Sequence, residues 1–224
     1  MVETLSDSAT PDSTRKRLID AAEEVFAEMG YEAASIRAIC TRADANVAAV
    51  NYHFGDKRRL YLEALKHAVA DSTAGMRNAP PMPPEMPVEA RLTAFIHGLV
   101  WGMLSNSRQS AISLMMREMV DPTPEYRMVV QEFIGPLCHQ LFGIIQEVLP
   151  HADRQHVIMT AFSIVGQALY YRQNQAVTIV LVGGEEAYES LTLDRIAQHI
   201  VDFSLAALGL RPSRLMADFG ESPK

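Results

Sequence analysis

Residues Gly30 to Leu60 read GYEAASIRAICTRADANVAAVNYHFGDKRRL. Ser35 is placed to cap a short helix whose inner face is Ile36, Ile39, Cys40 and Ala43; a serine hydroxyl satisfies a first-turn N–H that has no partner within the helix. Asp44-Ala45 then breaks the chain, and Asn46 caps a second short helix, Val47 to Phe54. Gly55-Asp56 ends that helix, and Asp56 caps a longer one that buries Leu60, Leu65 and Val69. Two short helices joined by about three residues, with Ile39, Ala43, Ala45 and Val50 as a small core, predict a helix-turn-helix.

A DNA major groove about 12 Å wide admits one helix, so a short second helix held by the first can present side chains to base edges. Val47, Ala48, Ala49 and Asn51 are the candidates: the Asn51 amide can pair bidentately with adenine, and an alanine can touch a thymine methyl. Tyr52, His53 and Lys57 add a hydroxyl, an imidazole and an ammonium near the start of the next helix, a cluster suited to phosphate. His53 also has the plainer reading of packing beneath the helix.

Working outward, Leu18, Ile19, Ala22, Val25, Phe26 and Met29 form one helical stripe, with Ser13 or Thr14 as cap and Gly30 as terminator. Residues 1–13 lack apolar periodicity and are expected to be a disordered tail. The helix-turn-helix domain is placed at 14–56, with 57–75 as a helical connector. Residues 76–87, MRNAPPMPPEMP, hold five of the twelve prolines and are expected to be a loop. Helical patterns follow at Val88 to Asn106, Arg108 to Val120, Pro124 to Leu149, Asp153 to about Val182 and Thr192 to Leu208, forming a second domain over 88–210 before a tail at 211–224. Only Val177 to Val182 reads ambiguously with period two. The expected fold is all-α: an N-terminal three-helix domain and a larger C-terminal helical domain.

The chain has 224 residues, 48% hydrophobic and 21% charged, which excludes a wholly disordered protein. The stretch Ala176 to Val182, apolar but for Thr178, is far shorter than the roughly 20 residues of a membrane span, and the start MVETLSDSATPDS does not read as a signal peptide. A soluble, cytoplasmic protein without a membrane partner is expected. The net charge of −7 argues against indiscriminate nucleic-acid coating, yet Ser35 to His67 carries +3 and the remainder −10. Anion binding is therefore expected in that region alone. Cys40 and Cys138 sit in apolar helical patterns and read as small buried hydrophobes, with a redox-sensing thiol as the alternative. His151 and His156 are five apart, Cys138 and His139 are adjacent, and no H-E-x-x-H or paired-cysteine motif occurs, so no metal or other cofactor is expected. No G-x-S-x-G, Walker or G-x-G-x-x-G signature points to an enzyme.

The run Gly30 to Leu60, and the segment N-Y-H-F-G-D-K within it, closely resembles the DNA-binding domain of TetR-family transcriptional repressors over roughly residues 14 to 70. The resemblance implies that Val47, Ala48 and Asn51 face bases, that Ala49, Tyr52, His53 and Lys57 lie at phosphates, that Arg37 touches DNA from the preceding helix, and that Ser35 caps that helix beside the backbone. Ala34, Asp44 and Ala45 depart from a usual Thr, Gly and Val; the change at Ala34 is expected to remove one phosphate contact. Arg117-Glu118 with Pro122-Thr123, and Asp202-Phe203-Ser204-Leu205, look similar to the CecR-like (YbiH-like) subgroup. The family further implies a homodimer on a palindromic double-stranded operator and an unidentified small-molecule effector.

For the second domain, His97, Trp101, Met115, Arg117, Glu118, Tyr170 and Arg172 are polar or adaptable groups in apolar helices and are the candidate effector pocket. Arg117-Glu118 can instead be structural, with partners on other helices, and Tyr170 can lie at a dimer interface. Ile164, Ile196, Ile200, Phe203 and Ala207 are the expected dimer contacts. The competing function is an α-helical enzyme or ligand carrier that merely contains a three-helix unit.

Overall fold

The structure is a computed structural model and describes residues 11–78, 82–83, 85–105 and 109–210. Residues 1–10 of the expected N-terminal tail, part of the Pro-rich loop and the expected C-terminal tail lie outside the described residues. Twelve α-helices and no strand occur among the described residues. They are α1 (Pro11–Ala33), α2 (Ile36–Arg42), α3 (Val47–His53), α4 (Lys57–Arg77), α5 (Val88–Leu104), α6 (Gln109–Val120), α7 (Pro124–Val129), α8 (Gly135–Val148), α9 (Arg154–Gln173), α10 (Gln175–Val182), α11 (Glu185–Glu189) and α12 (Leu193–Ala207). One π turn, Val130–Ile134, joins α7 to α8.

The chain forms two compact units that do not follow the expected division at the Pro-rich loop. Among the described residues, the first comprises those within 11–72 and 109–133, and the second those within 73–105 and 134–210. Residues 109–133, expected in the C-terminal domain, pack with the N-terminal helices because α6 turns Ala111, Ile112 and Leu114 inward as it lies along α1. Leu18, Phe26, Ile39, Leu60, Tyr61 and Leu65 are buried in that core, where Phe26 stacks on Tyr31 and lies edge-on to Tyr61, and Tyr31 and Tyr61 are tilted against each other.

The first helix begins at Pro11, earlier than the expected cap at Ser13 or Thr14, in keeping with proline's preference for a first helical turn. It breaks at Gly30, whose φ of 80° favours glycine. A Cβ there would also stand 2.8 Å from the Arg117 guanidinium.

In the second unit Leu92, Phe95 and Ile96 of α5, Leu141 and Ile145 of α8, Val157 and Ile164 of α9, and Ile196, Ile200 and Val201 of α12 form one apolar core. The single helix expected over 153–182 is two, divided at Asn174, and the ambiguous stretch after it is α10. Pro124–Val148 is long and apolar enough, by length and composition, to cross a membrane. Glu125 and Glu132 on it pair with Arg58 and Lys66 within the first unit, and Glu147 pairs with Arg91 within the second, which suits a packed helix.

Candidate nucleic-acid interface

Three local caps fix the reading elements. Ser35 Oγ accepts from the Ala38 N–H at 3.1 Å, Asn46 Oδ1 from the Ala49 N–H at 2.8 Å, and Asp56 Oδ1 from the Arg59 N–H at 2.8 Å. Each removes an orphan donor from a first turn. Between α2 and α3, Asp44 takes φ 47° and the Ala45 N–H returns to the Cys40 carbonyl at 2.9 Å. Aspartate tolerates the left-handed region better than most residues, so the turn forms without glycine. Ile39 and Val50 are fully buried beneath it.

That packing turns the other side of α3 to solvent. Val47, Ala48, Asn51 and Tyr52 are exposed, Tyr52 at 81%, while Ala49 and His53 are half-buried, and the His53 ring lies edge-on to Tyr52. Arg37 and Ser35 are exposed on and before α2. Lys57 is more constrained than its sequence context implied. Its Nζ lies 3.3 Å from the Glu32 carbonyl and 4.6 Å from the Tyr31 ring centre, which aims the ammonium without neutralising it.

The basic balance of Ser35 to His67 is largely answered inside the first unit. Arg42 makes a bidentate pair with Glu28 at 2.8 and 3.0 Å, holding the Glu28 carboxyl below its ordinary range. Arg58 pairs with Glu125, Arg59 with Asp56 at 3.8 Å, and Lys66 with Glu132 at 3.6 Å. Local net charge could not reveal this, because Glu28, Glu125 and Glu132 lie outside the stretch.

The candidate effector residues are not gathered into one group within either unit. Met115, Arg117 and Glu118 belong to the first unit; His97, Trp101, Tyr170 and Arg172 belong to the second. Glu118 is 1% exposed and accepts from the Tyr61 hydroxyl and from the Thr123 N–H at 2.8 Å. Burial first, and this carboxylate second, push the Tyr61 hydroxyl far above its ordinary pKa. Arg117 reaches the Glu28 carbonyl at 3.3 Å. Both follow the structural alternative, with partners on other helices. In the second unit, desolvation lowers the pKa of half-buried Arg172, while Trp101 and Tyr170 are half-exposed. A cavity of about 460 Å³ at the α8–α9 turn is lined by Val148, Leu149, Pro150, His151, Ala152, Asp153 and His156, and includes none of the seven.

The expected dimer residues also divide. Ile164, Ile196 and Ile200 are buried in the core of their own unit and have no surface to offer a partner; Phe203 and Ala207 are exposed. Met159 and Phe162 are exposed at 60% and 59% on α9. Burial raises the pKa of both the Cys40 and Cys138 thiols, consistent with small packed hydrophobes.

Residues 18–64 match the model of bacterial regulatory proteins of the tetR family, and residues 88–208 match that of the C-terminal domain of the HTH-type transcriptional dual regulator CecR. The chain belongs to the TetR family, with a CecR-type C-terminal domain. It is 26% identical to CecR of Shigella flexneri over 214 residues, covering 89% of this chain and 95% of that protein. A shorter match, 38% over 68 residues and 30% of this chain, links it to 31% of the transcriptional activator FasR of Mycolicibacterium smegmatis. The fold is shared with HlyIIR, a hemolysin II transcriptional regulator, at TM-score 0.58 and 22% identity, over 85% of this chain and 98% of that one. A transcriptional-regulator structure from Pseudomonas aeruginosa PAO1 gives TM-score 0.67 and 20% identity over 93% and 96%. This TetR-family protein is a DNA-binding transcriptional regulator.

Proposed function

We propose that this TetR-family regulator acts in the cytoplasm as a homodimeric repressor, held on a palindromic operator and released by a small molecule bound in its second unit. The exposed face of α3, capped by Asn46 and backed by buried Val50, carries the reading. Val47, Ala48 and Asn51 face the bases, with Asn51 the one side chain of the three able to make a bidentate pair. Arg37, Ala49, Tyr52, His53 and Lys57 lie along the phosphates, and Ser35 holds the start of α2 beside them. A two-fold dimer sets two such helices about 34 Å apart, one helical turn of DNA.

Release is supported by chain continuity. The chain passes between the units three times, within α4, between α5 and α6, and from the π turn into α8. A ligand that favours one arrangement of the second unit therefore pulls on covalent connections into the first, and couplings of about 1–3 kcal/mol suffice. His97, Trp101, Tyr170 and Arg172 remain the residues proposed to meet the effector, whereas Arg117 and Glu118 are held by partners within the first unit.

The test joins a reporter to the operator and compares strains with and without the protein. Expression should rise when the protein is removed, and a small molecule that restores expression in cells should lower operator affinity of the purified dimer. Lower expression on removal would overturn the repressor reading.

A further inference from the structure

We propose that Arg117 and Glu118, side by side on α6, are positioning residues that aim the Lys57 ammonium at a DNA phosphate, acting through Tyr31 and Tyr61. The inference rests on the reading of Lys57 as a phosphate contact, and every group in it belongs to the first unit.

Lys57 opens α4 and Tyr61 follows four positions later, so the two share a face of that helix. Tyr31 lies against both: its ring centre is 4.6 Å from Lys57 Nζ and 4.8 Å from the centre of the Tyr61 ring. Lys57 Nζ also donates to the Glu32 carbonyl at 3.3 Å. Where the ammonium points therefore depends on how residues 31 and 32 leave the kink at Gly30, and on where the Tyr61 ring sits.

Both dependences end on α6. Glu118, buried, accepts from the Tyr61 hydroxyl, from the Thr123 N–H at 2.8 Å and from the Thr123 hydroxyl at 3.0 Å, which ties the ring to the segment between α6 and α7. Arg117 donates to the Ala27 and Glu28 carbonyls at 3.5 and 3.3 Å, in the turn of α1 that precedes the kink. Two adjacent side chains thus hold the two supports of one lysine.

Charge is sorted around that lysine. The two arginines that follow it answer carboxylates, Arg58 that of Glu125 and Arg59 that of Asp56. Lys57 meets a carbonyl and a ring face instead, partners that orient a cation without cancelling its charge. An ammonium has three N–H donors, so one bond to a carbonyl leaves others to meet phosphate oxygens.

The experiment uses the full chain with isotope-labelled lysine. It records the Lys57 ε-methylene signals by NMR, which the Tyr31 ring should shift upfield, and affinity for a mixed-sequence duplex of about 30 base pairs over a series of salt concentrations. Tyr61→Phe removes only a hydroxyl and Arg117→Ala changes an exposed position, so both should stay folded by circular dichroism. Each should move the Lys57 signals towards their random-coil position and weaken DNA binding about two- to fivefold, the range of a cation–π contact at an exposed site. Glu118→Gln keeps an acceptor for the Tyr61 hydroxyl and should keep the shift. Lys57→Met should lower the salt slope by about one counterion for each protomer bound. In that background Tyr61→Phe and Arg117→Ala should cause no further loss, whereas a merely structural effect would add. An unchanged slope in Lys57→Met would strike the phosphate reading, and the aim with it, while the hold on Lys57 would still show in the spectrum. Lysine signals unmoved in both variants, or losses that stay additive without Lys57, would overturn the positioning role and leave the phosphate reading intact.

Discussion

Glu118, open in sequence to a pocket or a structural role, has its partners on other elements of the first unit. It lies on an apolar helix and suggested a pocket, yet its carboxylate is 1% exposed and accepts hydrogen bonds from Tyr61 and Thr123. Glu118→Ala would leave a buried hydroxyl and a part-buried amide without their acceptor, at about 1–3 kcal/mol for each such group. The expected outcome is a loss of about 2 kcal/mol or more in urea unfolding, with Glu118→Gln losing less because an acceptor is retained. A Glu118→Ala protein as stable as the parent would remove this role. The caps Ser35, Asn46 and Asp56 were legible because donor and acceptor are three residues apart. Glu118 was not, because Tyr61 is 57 positions away and nothing local signals it.

Whole helices divide along the same line. The helix-turn-helix was readable from caps, small core residues and a broken turn, all local properties. The orientation of α9 was not, since Val157, Ala161 and Ile164 face inward while Met159 and Phe162 face out, and an element apolar on two sides gives no directional signal. The break at Asn174 and the π turn were hidden for a related reason, as both interrupt otherwise continuous helical patterns. Burial separates core positions from exposed ones. Phe162→Asp and Phe203→Asp alter exposed positions and should yield folded monomers by sedimentation velocity and circular dichroism, if these faces pair two protomers. Ile200→Asp places a charge at a fully buried position and should unfold the second unit. Folded dimers of both phenylalanine variants would move the interface to another surface.

Across the whole molecule, charge is distributed to limit non-specific attraction. The chain is net −7, and Arg42, Arg58, Arg59 and Lys66 of its basic stretch are paired with carboxylates. Arg37→Ala should therefore weaken binding to every DNA sequence and lower the salt slope by about one counterion per half-site, whereas Arg42→Ala should leave the slope unchanged. Equal slopes for the parent and Arg37→Ala would remove Arg37 from the phosphate contacts. The assignment of α6 and α7 to the first unit was beyond the sequence, because the Pro-rich segment marks a seam by composition while these later helices return across it. If two copies of α3 read a two-fold operator, selection of genomic fragments by the purified protein at two salt concentrations should recover a short palindrome whose half-site centres lie about one DNA turn apart. It should be recovered at both salts, with preference at one base pair per half-site relaxed in Asn51→Ala. Recovery that is sequence-independent and vanishes at the higher salt would contradict that reading.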